Sequence, residues 1–406
     1  MRILHSADWH IGQTLNGWAR DAEHEVWFDR LADTIEDEKI DVLLVAGDIY
    51  DVINPSGASQ RLLYETLKRL KDRRPNLITI ITSGNHDPIG RLDAPKTILE
   101  ILDVHVVANL RRREGEIDHA AHMIPLPDAS GTVQAWVCAI PFLRAADLPG
   151  LSFSQETGRG SPIVDAARRL HARFAEVAEE TAGGLPVIAM GHLHCQGGSE
   201  SEGAERHILI GNEHALPTDV FPESFSYVAL GHLHRPQSHA GGRVRYSGSC
   251  FPLSAAEAGY DHGATLIEVE NGVLEMRHVS IPRPSAMLRF PLQGTMSFPE
   301  FEESLAAADL DPSLPKDLQP FVYVNLEATG PAAVLLTDAE RLLANHPVRI
   351  AGIRVRKSSE QGDATRPTSL TETTPEQLFR LTFEKVNGVA PQDRHVAAFR
   401  EAMQGE

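Results

Sequence analysis

The feature that most constrains this chain is a recurring one: an apolar run that ends, often through a glycine, in a residue able to bind a metal ion. Val42 to Ala46 runs into Gly47-Asp48, Leu77 to Thr82 into Gly84-Asn85, Leu185 to Met190 into Gly191-His192, and Tyr227 to Leu230 into Gly231-His232. The opening segment, Arg2 to Ala7, runs directly into Asp8. Runs without alternation predict strands buried on both faces, and so parallel sheet. Gly47 lets the backbone turn sharply, delivering Asp48 just past the strand's carboxyl end. In open α/β sheets that edge is where ligands bind. Ligands at the ends of separate strands can converge on one point.

At 406 residues the chain is too long for one small core, and two or three domains are expected. No apolar stretch reaches the roughly 18 residues of a membrane span. Met1 to Asp8 carries no apolar leader, so a cytoplasmic location is expected. Cys138, Cys195 and Cys250 are widely spaced and read as reduced thiols, with Cys195 structurally neutral. The net charge of -18 argues against unaided binding of nucleic acid. Local basic surface is offered by Lys68, Arg69, Lys71, Arg73 and Arg74, and by Arg111-Arg112-Arg113. If DNA is the substrate, a partner is expected to supply much of the grip.

In chain order, Asp8 and His10 sit two apart, which in extended backbone points both side chains the same way. Asp21 to Lys39 predicts an amphipathic helix with Val26, Trp27, Leu31 and Ile35 inward, and Pro55 to Arg73 a second. The Asp48 strand between them makes a right-handed βαβ unit. Leu102 to Ala108 and Ala135 to Ile140 are further strands, flanking a charged turn and Pro125-Leu126-Pro127. Residues 144 to 162 predict a long loop, and Ile163 to Thr181 a helix. The short strands 244–246, 265–269 and 273–279 suit antiparallel pairing, turned at Asn271-Gly272, and are expected to complete a second sheet.

The collected ligand set is Asp8, His10, Asp48, Asn85, His192, His232 and His234. Oxygen and imidazole donors without thiolate favour Mn(II), Fe(II) or Zn(II) over Mg(II). Seven donors are too many for one ion and suit two, with Asp48 bridging. Paired ions activate water and stabilise charge building on phosphate oxygens. His86, adjacent to Asn85 and held by a carboxylate such as Asp87, then serves as general acid or transition-state stabiliser. Gly-His-x-His occurs twice, and His194 is its ambiguous member. Neither a G-x-S-x-G element with a triad nor a Walker A loop accompanies these motifs.

Ile281-Pro282-Arg283-Pro284 is a stiff linker and closes a first domain, 1–281. A β-α-β-α-β layer follows, 282–357, without metal ligands at its strand ends. Residues 358–373 read as a flexible tether, and 374–406 as a helical docking module rich in Phe and Leu. That module starts at the capped sequence Thr374-Pro375-Glu376-Gln377 and suits another protein's hydrophobic surface.

Asp8-x-His10, Gly47-Asp48, Gly84-Asn85-His86-Asp87, Gly191-His192 and Gly231-His232-x-His234 resemble, in order, the motifs of calcineurin-type metallophosphoesterases. The small domain and tethered helices resemble the bacterial DNA nuclease subunits of that family. The resemblance implies a two-sheet α/β sandwich flanked by helices, with a small α/β cap over the DNA. It implies an Mn-dependent nuclease, with exonuclease activity on duplex ends and endonuclease activity on single strands or hairpins. It further implies a homodimer bound, through the C-terminal helices, to the coiled-coil base of an SMC-like ABC ATPase. One ion is implied at Asp8, His10, Asp48 and His234, the other at Asp48, Asn85, His192 and His232, with His86 catalytic. A phosphatase or small-nucleotide phosphodiesterase on the same site is the alternative, and a non-catalytic scaffold is disfavoured because no expected ligand is missing.

Overall fold

The computed structural model describes residues 1–148, 161–201 and 215–356, together with Phe379, Phe383, Pro391, His395 and Val396. The run Val42–Ala46 forms a strand with every residue buried. Leu43 and Val45 pack with Trp27, Phe28 and Leu31 of the first helix. Val42, Leu44 and Ala46 pack instead on Ile188, Met190 and Ala229 of a second sheet. Two apolar partners, one per face, are why the run shows no alternation.

The first sheet contains β1 (Arg2–Ser6), β2 (Val42–Ala46), β3 (Ile78–Thr82) and β4 (Val104–Val107), all parallel. Helices α1 (Asp21–Asp37) and α2 (Gly57–Arg73) cover its outer face. Helix α2 begins two residues later than Pro55 because Ser56 caps it, accepting a bond from the Ser59 amide. The second sheet follows with β5 (Met123–Pro127), β6 (Val133–Ala139), β7 (Val187–His192), β8 (Tyr227–Gly231), β9 (Gln237–His239) and β10 (Val244–Tyr246). Its spatial order is β9-β10-β8-β7-β6-β5. Helix α3 (Pro162–Ala182) buries Ala167, Leu170 and Phe174 on the outer face of this sheet. The result is a helix–sheet–sheet–helix stack.

Three expectations are corrected. The hairpin β11 (Gly263–Glu270) and β12 (Val273–Ser280) joins the first sheet, with β11 antiparallel to β1 and Ile267 opposite Ile3. Strand β11 has Leu266 on the helix side and Ile267 between the sheets, so it needs a position covered on both faces. The open edge of β1 supplies one. Strand β10 pairs antiparallel with β9, as expected of it, but runs parallel to β8 on its other side. The proline-rich segment 125–127 is itself part of strand β5, an edge strand, where a missing N–H can be tolerated.

Beyond Ile281 a parallel three-stranded sheet, β13 (Met287–Phe290), β14 (Phe321–Glu327) and β15 (Arg349–Arg356), alternates with α4 (Phe298–Ala306) and α5 (Ala332–Ala344). Ser297 and Glu300 cap α4 reciprocally. One face buries Phe301, Leu305, Val324 and Leu343. The other packs Phe321 and Ala351 on Leu15 of a short hairpin, Thr14–Leu15 with Trp18–Ala19. Trp18 Nε1 donates to the Ile350 carbonyl at 3.0 Å.

Residues 357–406 form a separate unit. The tether and most of the docking helices lie outside the described residues, as does the centre of the 144–162 loop. Within that unit the Phe383 and His395 rings stack with centroids 4.7 Å apart. Among the described residues no helix is long and apolar enough to cross a membrane.

Candidate metal centre

The backbone leaves the strand ends in an unusual way. Asp8, His10, Asp48 and His232 have φ of 52°, 47°, 50° and 103°. Non-glycine residues rarely hold such values, and strained backbone of this kind clusters at functional sites. Asp8 and His10 therefore converge through left-handed turns, not through the extended backbone expected from their spacing. Parallel pairing continues past the strands, with Asp8 N donating to Gly47 O at 3.1 Å and His10 N to Asp48 O at 3.0 Å.

Two glycines, Gly47 and Gly231, let the two sheet edges meet, and a third, Gly84, lets neighbouring strand ends of the first sheet close up. A Cβ on Gly84 would collide with the Asp48 carboxylate and amide, and one on Gly47 with the His192 ring. A Cβ on Gly231 would strike the Ala46 carbonyl. Gly47, Gly84 and Gly231 are thus also the gaps into which a candidate donor or its support fits.

The side chains brought together are those expected. Asp8, His10 and His234 present donor atoms within 4.8 Å of one another, as do Asp8, Asp48 and His192, and His10, Asp48 and His86. His192 Nε2 lies 3.0 Å from Asn85 Oδ1 and 3.3 Å from Asp48 Oδ2. The His192 and His232 ring centroids are 5.5 Å apart. His194 is not in these groups; its Nδ1 faces Glu200 Oε1 at 3.0 Å.

The groups that aim the rings are not among the residues expected at the site. Nδ1 of His10 meets Asp51 Oδ1 at 3.1 Å, and Nδ1 of His234 meets Glu257 Oε1 at 3.0 Å. His192 Nδ1 donates to the Ala46 carbonyl at 2.9 Å. Such partners fix a ring's tautomer and turn Nε2 to the ion. Asp51 follows Asp48 by three residues, and that proximity is a usable signal; Glu257 is distant in sequence and carries none.

Asp87 requires a correction. It does not hold the His86 ring: its carboxylate accepts from the amides of Gly84, Tyr50 and Ile49 at 2.8, 2.9 and 3.2 Å. His86 Nδ1 donates instead to the Asp51 carbonyl at 2.7 Å, and its amide donates to Asp48 Oδ1 at 2.8 Å. Asp87 is a brace tying the Asn85 turn to the Asp48 turn.

Electrostatics follow from burial. Burial alone would lower the His192 pKa, but the Asp48 carboxylate, with Asp8 behind it, lifts it to about 9. Burial likewise pulls the Asp48 pKa up, and His192 and His10 reverse this, holding it well below the usual range. Asp8 is raised by burial, and Asp87 is pushed up to about 6 by burial and the Asp48 charge. Among the described residues His10 Nε2 and His232 Nε2 are buried without a hydrogen-bond partner. Orphaned imidazole nitrogens beside buried carboxylates fit divalent cations.

The donors open on a cleft of about 470 Å³ lined by His10, His86 and His234, and across it by Tyr323 and Arg354 of the small sheet. A strand-end site of this kind on a two-sheet stack defines a metal-dependent phosphoesterase. A family profile described as calcineurin-like phosphoesterase matches residues 1–236, and the chain belongs to that family. A second profile, described as type 5 capsule protein repressor C-terminal domain, matches residues 283–387. Individual relatives narrow the class further. The chain is 50% identical to the SbcD component of the SbcCD nuclease of Rhodobacter capsulatus, over 94% of both chains. It is 32% identical to the same component from Escherichia coli, over 95% of this chain and 94% of the other. The Bacillus subtilis counterpart is 28% identical over 100% of this chain and 98% of its own.

Proposed function

We propose that this chain is the nuclease subunit of a DNA-end-processing complex, an Mn(II)-dependent phosphodiesterase serving repair, recombination and replication. Its activities are 3′-to-5′ degradation of duplex ends and endonucleolytic cutting of single strands and hairpins. The observation that carries this reading is Asp48, whose carboxylate stands between the His10 side and the His192 side at 3.6 and 3.3 Å. Near-complete alignment with the SbcD components of SbcCD nucleases supports DNA as the substrate.

Asp8, His10, Asp48 and His234 would hold one ion, and Asp48, Asn85, His192 and His232 the other. Bound there, divalent ions supply Lewis acidity, an activated water and charge neutralisation on the scissile phosphate. The chain supplies the rest. With Nδ1 committed to the Asp51 carbonyl, His86 uses Nε2 to protonate the leaving oxygen. Asp87 keeps the two turns that carry His86 and Asp48 in fixed relation.

Residues 1–281 form the catalytic body and 282–357 the cap. Residues 358–373 tether a docking module, 374–406, to the coiled-coil base of an SbcC-type ABC ATPase, in a cytoplasmic complex containing two copies of each protein. The test is digestion of linear duplex DNA by the purified chain with Mn(II). His86→Ala is expected to abolish cutting while metal stays bound. Hydrolysis of p-nitrophenyl phosphate esters with no action on DNA would overturn the nuclease reading in favour of a small-molecule phosphoesterase.

A further inference from the structure

The inner faces of the two sheets are apolar over most of their area, with Ile3, Leu44, Ile80 and Ile267 meeting Val137, Ile188 and Ala229. Toward the β12 and β9 edges this pattern fails. Register places His5 opposite Thr265 and Thr265 opposite His278, one cross-strand row over β1, β11 and β12. Directly opposed residues share a face, and His5 falls in alternation with Ile3, so the row faces the other sheet. On that sheet Ala229 stands opposite Arg245, and Arg245 opposite Ser238. Positions that alternation assigns to hydrocarbon therefore carry imidazole, hydroxyl and guanidinium groups.

Behind the edge of this row His5 Nδ1 meets Tyr227 Oη at 2.9 Å. His5 and Tyr227 both feel the Arg245 charge. Between the splayed edges lies a pocket of about 410 Å³ lined by Arg235, Arg245, Thr265, His278 and Tyr260. Among the described residues neither arginine makes an ion pair, although the chain carries a net charge of -18. Arg235 instead lies over the Tyr260 ring at 5.6 Å. The pocket's carboxylate, Asp261, is engaged by His278 at 3.4 Å and by Ser280 at 2.6 Å.

We infer that this pocket is a second binding site, distinct from the metal centre, for a phosphate group carried on a nucleotide. Guanidinium forks match phosphate oxygens, and the Arg235 plane lying over Tyr260 offers a flat cationic surface to a base. The volume is within the range of small-ligand sites. A free mononucleotide and a strand of DNA present the same phosphate chemistry, and their affinities separate them.

The experiment is calorimetric titration of the full-length chain in EDTA, which removes metal from the catalytic centre, with deoxyadenosine monophosphate and separately with a short oligothymidylate. Saturable binding is expected, weakened about tenfold or more by Arg245→Met and reduced by Arg235→Ala. His86→Ala, on the catalytic cleft, is expected to bind as the unaltered chain does. Tighter binding of the mononucleotide identifies a free nucleotide as the ligand, and tighter binding of the oligomer identifies the DNA strand. Absence of binding by both probes, or undiminished affinity in both arginine variants, overturns the site. Should Arg245→Met fail to fold, Arg235→Ala, which alters an exposed side chain, decides the matter.

Discussion

Arg349 Nη2 lies 3.1 Å from Glu23 Oε1, and both side chains are wholly shielded from solvent. Arg349 begins the last strand of the small sheet, whereas Glu23 sits in the first turn of α1. Arg20 shares the same carboxylate, and both guanidinium groups lie over the Phe321 ring, at 5.3 and 3.7 Å. The small sheet is thus joined to the two-sheet stack by a buried charge cluster as well as by apolar contact. Glu23→Ala strands two guanidinium groups in the interior and is expected to cost about 3–5 kcal/mol. Chemical denaturation of the purified chain measures it; a loss under about 1 kcal/mol would show that the cluster is solvated or dispensable.

Glu257 is expected to act on metal affinity more than on the chemical step. Its contact with His234 Nδ1 orients a proposed ligand. Glu257→Gln should raise the Mn(II) concentration needed for half-maximal activity by about 10- to 100-fold, with much of the rate recovered at saturation. An unchanged Mn(II) requirement would remove Glu257 from the site's support.

Gly84→Ala tests the close approach of two neighbouring strand ends in the first sheet. A methyl there collides with Asp48. DNA cleavage should fall by at least about 100-fold, because small misplacements of catalytic groups are costly. Circular dichroism would report whether the sandwich survives.

Arg354 offers a way to separate grip from chemistry. It lines the catalytic cleft from the small sheet and, among the described residues, makes no ion pair. Arg354→Ala should raise KM for DNA and flatten its salt dependence, leaving hydrolysis of bis-p-nitrophenyl phosphate within about twofold. Equal losses on both substrates would assign Arg354 to the reaction itself.

The buried histidines outside the centre set an acid limit. Burial lowers the pKa of His122 and of His171 to about 4 each. The ordinary value is near 6.5, so between about 6.5 and 4 the unfolded chain holds more protons than the folded one. Stability therefore declines as pH falls through that window, on the order of 3 kcal/mol per residue over its full width. Denaturation midpoints across the window measure the slope, which His171→Gln should reduce; an unaltered slope counts against burial as the cause.

Much of the centre is legible because its proposed ligands follow apolar strands. Val42 to Asp48 and Tyr227 to His234 each state a buried strand and its terminal donors in consecutive residues. What residue order hides depends on distant pairing or local backbone. Glu257 reaches His234 from a short 3-10 helix 23 residues on, and no local pattern announces it. Asp87 stands next to His86 in the chain, but its oxygens turn back to three amides. The β11–β12 hairpin is legible as a hairpin, yet its sheet is decided by which edge can cover both its faces. The sharp φ at His232 has no signature in residue type at all.

The proposed ligands are divided between the layers of the sandwich: Asp8, His10, Asp48 and Asn85 emerge from one sheet, His192, His232 and His234 from the other. Any cation shared among them is consequently a rivet through the seam of the molecule. Occupancy adds stability to a seam that apolar contact already closes, so chelation should lower the melting temperature without parting the sheets, as well as halt turnover.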